Sequence, residues 1–383
     1  MDYLEQTFTI NYSYKVYFTQ HLFKPSNSLL YHFLSQRLLQ GMEQKILFVI
    51  DKSVAEAFPE LNKNIQDYFH QFPSIHLVQD LVILPGGEEA KNNPSCFDQL
   101  MKAVNQHGID RHSYIAAIGG GAVLDLAGYV AAIAHRGIRH IRIPTTVLAQ
   151  NDSGVGVKNG INYFSKKNFL GSFAPPLAVF NDCNFLLTLS DRNWRSGIAE
   201  AIKVALIKDT AFFNWIEENA EAFVSRELTI MNELIKRCAS YHLAHISGGD
   251  PFELGSSRPL DFGHWSAHKL EQLTNFKVLH GEAVAMGIAL DTVYSQLTQG
   301  LAKEEVDRII RLIKKLGFAL THPMMQVGDK ESPLLKGLQE FQEHLGGRLT
   351  IMLLTSIGSG IEVHEIDPIQ LQKASTLLAN YEH

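Results

Sequence analysis

The sequence predicts an α/β chain in two parts, a Rossmann-like parallel-sheet domain over residues 1–188 and a mainly α-helical domain over 189–383. Three observations carry this. Short apolar runs alternate with helical periods in the first half. A triple glycine joins one of those runs to an apolar helical stretch, and beyond about Asp191 long helical patterns dominate. A length of 383 residues also suits two cores better than one.

Ile46-Leu47-Phe48-Val49-Ile50 is a continuous apolar run ending at Asp51, as in a strand buried on both faces. His76-Leu77-Val78 and Val82-Ile83-Leu84 read the same way and stop at Pro85-Gly86-Gly87. Helical spacing from Phe97 to His107 closes at Gly108. Tyr114 to Ile118 is the next strand; Gly119-Gly120-Gly121 follows, then an apolar helix from Ala122 to His135 and the strand Ile141-Arg142-Ile143. The second half reads as helices over Trp194 to Lys208, Thr210 to Val224, Ile230 to His245, His264 to Thr274 and Glu282 to Leu297. Leu349 to Leu354 and Ile361 to His364 form a late hairpin pattern.

Hydrophobic residues make up 45% and charged residues 19%, a globular balance, and the net charge of -6 opposes general nucleic-acid binding. Cys96, Cys183 and Cys238 lack paired spacing, which argues against a disulfide framework or thiolate metal site. No secretory signal and no apolar run of about 18 residues is evident, so a cytoplasmic protein without membrane partners is expected.

Two segments suggest a dinucleotide. In Gly119-Gly120-Gly121-Ala122-Val123-Leu124-Asp125, glycines let backbone amides approach a pyrophosphate at a helix N-terminus. In Pro85-Gly86-Gly87-Glu88-Glu89-Ala90-Lys91, Glu88 suits ribose hydroxyls and Lys91 suits phosphate; a solvated charged loop is the plainer reading of that segment alone.

Taken in order, the segments resemble the 3-dehydroquinate synthase superfamily, the sugar phosphate cyclases. The resemblance runs from Pro85 to Gly287 through Arg136-Gly137, Pro144-Thr145-Thr146, Asp152-Ser153, Lys158 and Lys167-Asn168. It continues through Ala199-Glu200-Ala201-Ile202-Lys203, Phe262-Gly263-His264 with His268, and Leu279-His280-Gly281-Glu282-Ala283-Val284. It implies that Glu88, Lys91, Gly120, Gly121, Asp125, Thr145, Thr146, Phe185 and Thr188 hold NAD, with Lys167 beside them and near phosphate. It implies a divalent cation, zinc or cobalt, on Glu200, His264 and His280. Arg136, Asp152, Lys158, Asn168, Lys203, Asp261 and His268 then fall at the substrate and its phosphate.

The implied activity transiently oxidises a hydroxyl, eliminates phosphate, reduces the carbonyl again and closes a ring by an aldol step. Two imidazoles and a carboxylate leave metal positions open for substrate oxygens. Lysines, Arg136 and Asn168 suit a leaving phosphate. His268 suits proton handling near neutrality, and Asp152 suits a hydroxyl.

The pattern breaks where 3-dehydroquinate synthases hold a carboxylate with Lys and Arg. Leu243 and Ser257 stand there, with Arg258 one place away, and Asp261 replaces an Asn. A late Asp-Lys-Lys is also missing; His344 and Arg348 are the substitutes on offer. Arg258-Pro259-Leu260-Asp261-Phe262-Gly263-His264-Trp265 resembles cyclases encoded in ebo-type gene clusters. The resulting expectation is a homodimeric cyclase acting on a phosphorylated ketose without the usual carboxylate. Its alternatives are an authentic 3-dehydroquinate synthase and a metal-dependent polyol dehydrogenase.

Overall fold

The computed structural model describes residues 2–72, 75–164, 166–248, 252, 261–328, 332–344 and 349–382. The chain divides into two compact units, Met1–Pro144 with Val157–Asp182, and Thr145–Gly156 with Cys183–His383.

The first unit is built on a parallel sheet. Its strands are β1 (Lys15–Thr19), β2 (Lys45–Asp51), β3 (His76–Leu77), β4 (Val82–Leu84), β5 (Tyr114–Gly119) and β6 (Arg139–Pro144). An antiparallel hairpin, β7 (Lys158–Tyr163) and β8 (Lys166–Phe173), precedes the last sheet strand, β9 (Ala178–Asp182). The order is β1-β9-β6-β5-β2-β3, with β4 also pairing β2. β5 is buried along its whole length and β2 from Ile46 to Asp51, which is why both read as unbroken apolar runs.

The helix after β5 spans Gly121–Ile133 and ends two residues before the expected His135. His135 and Arg136 both adopt left-handed backbone, φ 52° and 62°, and turn the chain into β6. The expected helix from Phe97 begins earlier, at Pro94, because the Asn93 side chain accepts from Ser95 N and proline suits a first turn.

The second unit is mainly helical around one large apolar core. Helices span Asp191–Lys208, Leu228–Ser247, His264–Leu273 and His280–Gln299. The pattern expected as one helix over Thr210 to Val224 is two, Thr210–Glu218 and Ala220–Val224. Asn219 leaves helical geometry between them, at φ -97° and ψ 13°. The late hairpin is present as β10 (Ile351–Ser356) and β11 (Ser359–Val363). Cys96, Cys183 and Cys238 are free and buried. Among the described residues no helix is long and apolar enough to cross a membrane.

Candidate metal centre and cofactor residues

Three helices of the second unit converge on one carboxylate. Glu200 lies in Asp191–Lys208, where Ser196 to Ile207 is buried without interruption. His264 and His280 are the first residues of their helices. His264 Nε2 lies 3.4 Å and His280 Nε2 3.1 Å from Glu200 Oε1. The other ring nitrogens are engaged too. His264 Nδ1 is 3.2 Å from Phe262 O, and His280 Nδ1 is 3.1 Å from Glu271 Oε2. With protons on both Nδ1 atoms, both Nε2 lone pairs face the carboxylate.

Glycine makes this convergence possible. Gly263 takes φ 78° immediately before His264, and a Cβ there would fall 2.6 Å from Ile288 N. A Cβ on Gly281 would strike Ser196 O, so the residue after His280 must be small for its helix to meet the Glu200 helix.

Burial pushes the Glu200 carboxyl up, but the Lys203 ammonium, His264 and the imidazole hydrogen bonds outweigh it and hold Glu200 well below the carboxylate range. Lys203 Nζ sits 2.5 Å from Glu200 Oε2, one helical turn away. Burial pushes Lys203 down, but Glu200, Asp152 and Asp261 reverse this, so it stays an ammonium. Asp152, in the turn Ala149–Ser153, lies 3.3 Å from His242 Nδ1. Burial lowers His242, against the opposing pull of Asp152. The ring of His268 is 5.5 Å from that of His264 and 5.8 Å from that of His280, so three imidazoles share this corner.

A tetrahedral zinc site with bonds of about 2.0–2.2 Å requires donor atoms roughly 3.3–3.6 Å apart. Of the two separations from Glu200 Oε1, the 3.4 Å to His264 lies inside this range and the 3.1 Å to His280 just below it. The ionised carboxylate and two oriented imidazoles therefore fit a divalent cation in charge, donor type and spacing.

In the first unit the cofactor candidates gather around β7 and β8. Lys91 Nζ donates to Asp125 Oδ2 at 2.8 Å and also to Asn168 Oδ1. Glu88 pairs with Lys167 at 3.7 Å. Asn162 ties the cluster together. Its Nδ2 donates to Glu88 Oε2 at 2.7 Å and Asn92 Oδ1 at 2.8 Å, while its Oδ1 accepts from Asn168 N at 2.8 Å. Asn162 interrupts the regular β7–β8 register between Ile161 and Tyr163. Gly120 is extended, at φ -72° and ψ 173°, and no side chain caps the helix that follows. Those uncapped amides fit a pyrophosphate.

The remaining candidates are more scattered. Arg136 is exposed in its left-handed turn. Lys158 is exposed at the start of β7, where its carbonyl accepts from Arg142 Nη2 at 2.9 Å. In the second unit Thr145 is buried, and Thr146 Oγ1 accepts from Ala149 N at 3.1 Å. Phe185 is buried, while Thr188 is exposed with Oγ1 donating to Phe185 O at 3.4 Å. Asp261 O accepts from His264 N at 3.0 Å, so this residue also shapes the turn that leads into His264. Ser257, Arg258 and Arg348, and the side chain of His344, lie outside what the structure describes.

Sequence reading did not single out Asn162, Glu271 or Asp291. Only Glu271 leaves a signal, an acid seven residues after His264 and thus near the same helical face. Asn162 and Asp291 stand alone among apolar or polar neighbours and carry none.

Residues 81–196 match the 3-dehydroquinate synthase N-terminal family and residues 197–335 the 3-dehydroquinate synthase C-terminal family. A 3-dehydroquinate synthase of Nitrosospira multiformis is 39% identical over 287 residues, covering 74% of this chain and 77% of the relative. A solved 2-epi-5-epi-valiolone synthase from Streptomyces hygroscopicus subsp. jinggangensis, with NAD+ and Zn2+ bound, superposes with a TM-score of 0.86. It is 26% identical, over 98% of this chain and 99% of that one. A 2-deoxy-scyllo-inosose synthase complexed with carbaglucose-6-phosphate, NAD+ and Co2+ shares the fold. Its TM-score is 0.76 and its identity 22%, over 94% of this chain and 95% of that one.

Proposed function

We infer the activity from one premise: the chain belongs to the 3-dehydroquinate synthase family, within the sugar phosphate cyclase superfamily of carbon–oxygen lyases. The reading is a cyclase that removes phosphate from a phosphorylated ketose and closes a carbocycle, on a substrate without the usual carboxylate. NAD and zinc or cobalt are its cofactors. The observation that carries the reading is the complete Glu200, His264 and His280 donor set held beside Lys203.

When bound, NAD would take up and return a hydride, and a divalent cation on Glu200, His264 and His280 would acidify a hydroxyl and polarise a carbonyl. Lys203 keeps Glu200 ionised, so the carboxylate stays a ligand and not a proton donor. Asp152 accepts from a substrate hydroxyl, with His242 fixing its orientation. His268, half-buried beside the two ligand rings, is the proton carrier. Glu88, Lys91, Gly120, Gly121, Asp125, Lys167, Thr145, Thr146, Phe185 and Thr188 serve NAD. Arg136, Lys158 and Asn168 serve the phosphate, whose departure needs donors aimed at its oxygens.

The substrate class rests on Leu243. It is half-buried on the Leu228–Ser247 helix, next to His242, whose Nδ1 faces Asp152. A carboxylate there would meet an apolar side chain where a cation is required. Activity as an authentic 3-dehydroquinate synthase is the second reading, favoured by the 39% identity to such an enzyme.

Phosphate release from sedoheptulose 7-phosphate, with NAD and zinc supplied, is the expected result, with little or none from 3-deoxy-arabino-heptulosonate 7-phosphate. Release from the second compound alone establishes the second reading. Net NADH accumulation without phosphate release would overturn both. A homodimer is the expected assembly, which light scattering on the purified protein checks.

A further inference from the structure

Two buried carboxylates outside the ligand set link the helices that carry the histidine ligands. Glu271, 2% exposed, lies near the end of the His264–Leu273 helix and reaches His280, the first residue of the other helix, at 3.1 Å. Asp291, 1% exposed, lies on the His280–Gln299 helix and reaches back. Its Oδ2 accepts from Gly263 N and its Oδ1 from Trp265 Nε1, both at 3.0 Å. Gly263 and Trp265 are the two residues that flank His264.

We propose that Glu271 and Asp291 are positioning residues forming a crosswise strap, in which each helix supplies one imidazole ligand and one carboxylate that presets the other helix's imidazole. The proposal rests on reading Glu200, His264 and His280 as metal ligands. Glu271 acts on the ring itself. A carboxylate at Nδ1 holds the proton there and leaves the Nε2 lone pair directed at Glu200 Oε1, 3.1 Å away. Asp291 acts on the backbone. It holds the left-handed turn at Gly263 and the Trp265 indole, so the helix start carrying His264 cannot rotate independently. The two straps are chemically unlike, and their loss has different signatures. Glu271 fixes a tautomer and a ring angle, whereas Asp291 fixes where a helix begins.

The test uses the full-length protein as wild type, Glu271→Gln and Asp291→Asn. Zinc affinity is measured by chelator competition, zinc per chain by elemental analysis, and thermal stability without metal. Glu271→Gln keeps the side chain's shape but lets an amide N–H face Nδ1, which favours the wrong tautomer. It is expected to bind zinc about 10–100-fold more weakly, the usual effect of losing such a partner. One zinc per chain and a nearly unchanged metal-free melting point should accompany that loss. The His280 side-chain nitrogen resonances of the metal-free variant should show a tautomer shift. Asp291→Asn is expected to weaken zinc less and to lower the melting point. If Glu271→Gln does not fold, Glu271→Asp shortens the reach while keeping the charge, and is read in the same way. Zinc affinity unchanged in the Glu271 variant overturns the proposal. A second zinc in wild type that disappears with Glu271 also overturns it, since His268, Glu271 and His280 would then be ligands themselves. Failure of wild type to bind zinc defeats the metal reading first and the strap with it.

Discussion

The candidate metal centre and the candidate cofactor region, one in each unit, each hold a lysine–carboxylate cluster, and the two are built in opposite ways. Lys203 and Glu200 lie on one helix, 3% and 0% exposed, inside a stretch buried without interruption. Lys91 with Asp125, and Lys167 with Glu88, are assembled from two helices and a hairpin. There Lys91 is as buried as Lys203, at 3%, but its partners are not: Asp125 is 20%, Lys167 18% and Glu88 23% exposed. Burial makes each partner of the first cluster obligatory, because an unpaired charge there is poorly solvated. The second cluster keeps contact with solvent, and several weaker bonds share its charge. The metal centre should therefore fail abruptly on mutation, and the cofactor cluster by degrees.

The sharpest way to break that contrast is at the ligands. His264→Ala should abolish both zinc retention and phosphate release, read by elemental analysis and a phosphate assay; an unaltered metal content would remove His264 from the ligand set. Next in size, Lys203→Met leaves Glu200 buried with no ammonium beside it. The expected loss is about 3–5 kcal/mol in denaturant unfolding of the metal-free protein. Added zinc should recover part of it by binding only the folded state.

Asp291 provides a pH test within the same buried region. Burial raises its carboxyl from 3.8 to about 7, against the opposing hydrogen bonds from Trp265 and Gly263. The folded chain thus binds this proton more tightly than the unfolded chain. Its stabilising contribution is complete below about pH 4, is lost as pH rises to about 7, and is level beyond. Thermal unfolding of the metal-free protein should show this fall, and Asp291→Asn should flatten it. A slope identical in wild type and variant would assign the fall to other groups.

The cofactor cluster should show the smaller effects. Asn162→Ala removes two donated hydrogen bonds and one accepted bond, costing about 1–2 kcal/mol. It should weaken NAD binding while leaving zinc affinity alone, which titration of each ligand separates. Lys167→Ala, at a partly solvated pair 3.7 Å apart, should cost no more than about 1 kcal/mol and show a salt-dependent effect. A loss as large as that of Lys203→Met would erase the difference between the two clusters.

Legibility followed the same division. The Ile46–Ile50 and Tyr114–Ile118 runs read as strands because parallel strands buried on both faces leave an unbroken apolar trace. The sequence patterning does not predict β1, β7, β8 or β9. β8 alternates exposed and half-buried positions with polar residues and glycine, so it lacks a continuous apolar signal. The single helix expected over Thr210 to Val224 failed at Asn219, a break that periodicity does not reveal.

Local chemistry written along the chain therefore determined the family resemblance, the parallel sheet and the helical second half, and the resemblance in turn pointed to Glu200, His264 and His280 as candidate metal donors. Only the tertiary structure decided that His264 and His280 turn Nε2 toward one oxygen of Glu200, or that Asn162 joins Glu88 to Asn168. It alone placed Glu271 and Asp291 across the histidine-bearing helices. The physical reason is range. Periodicity and glycine placement act over a few residues, whereas a buried carboxylate finds its partner through helix packing, here 80 positions away for Glu200 and His280.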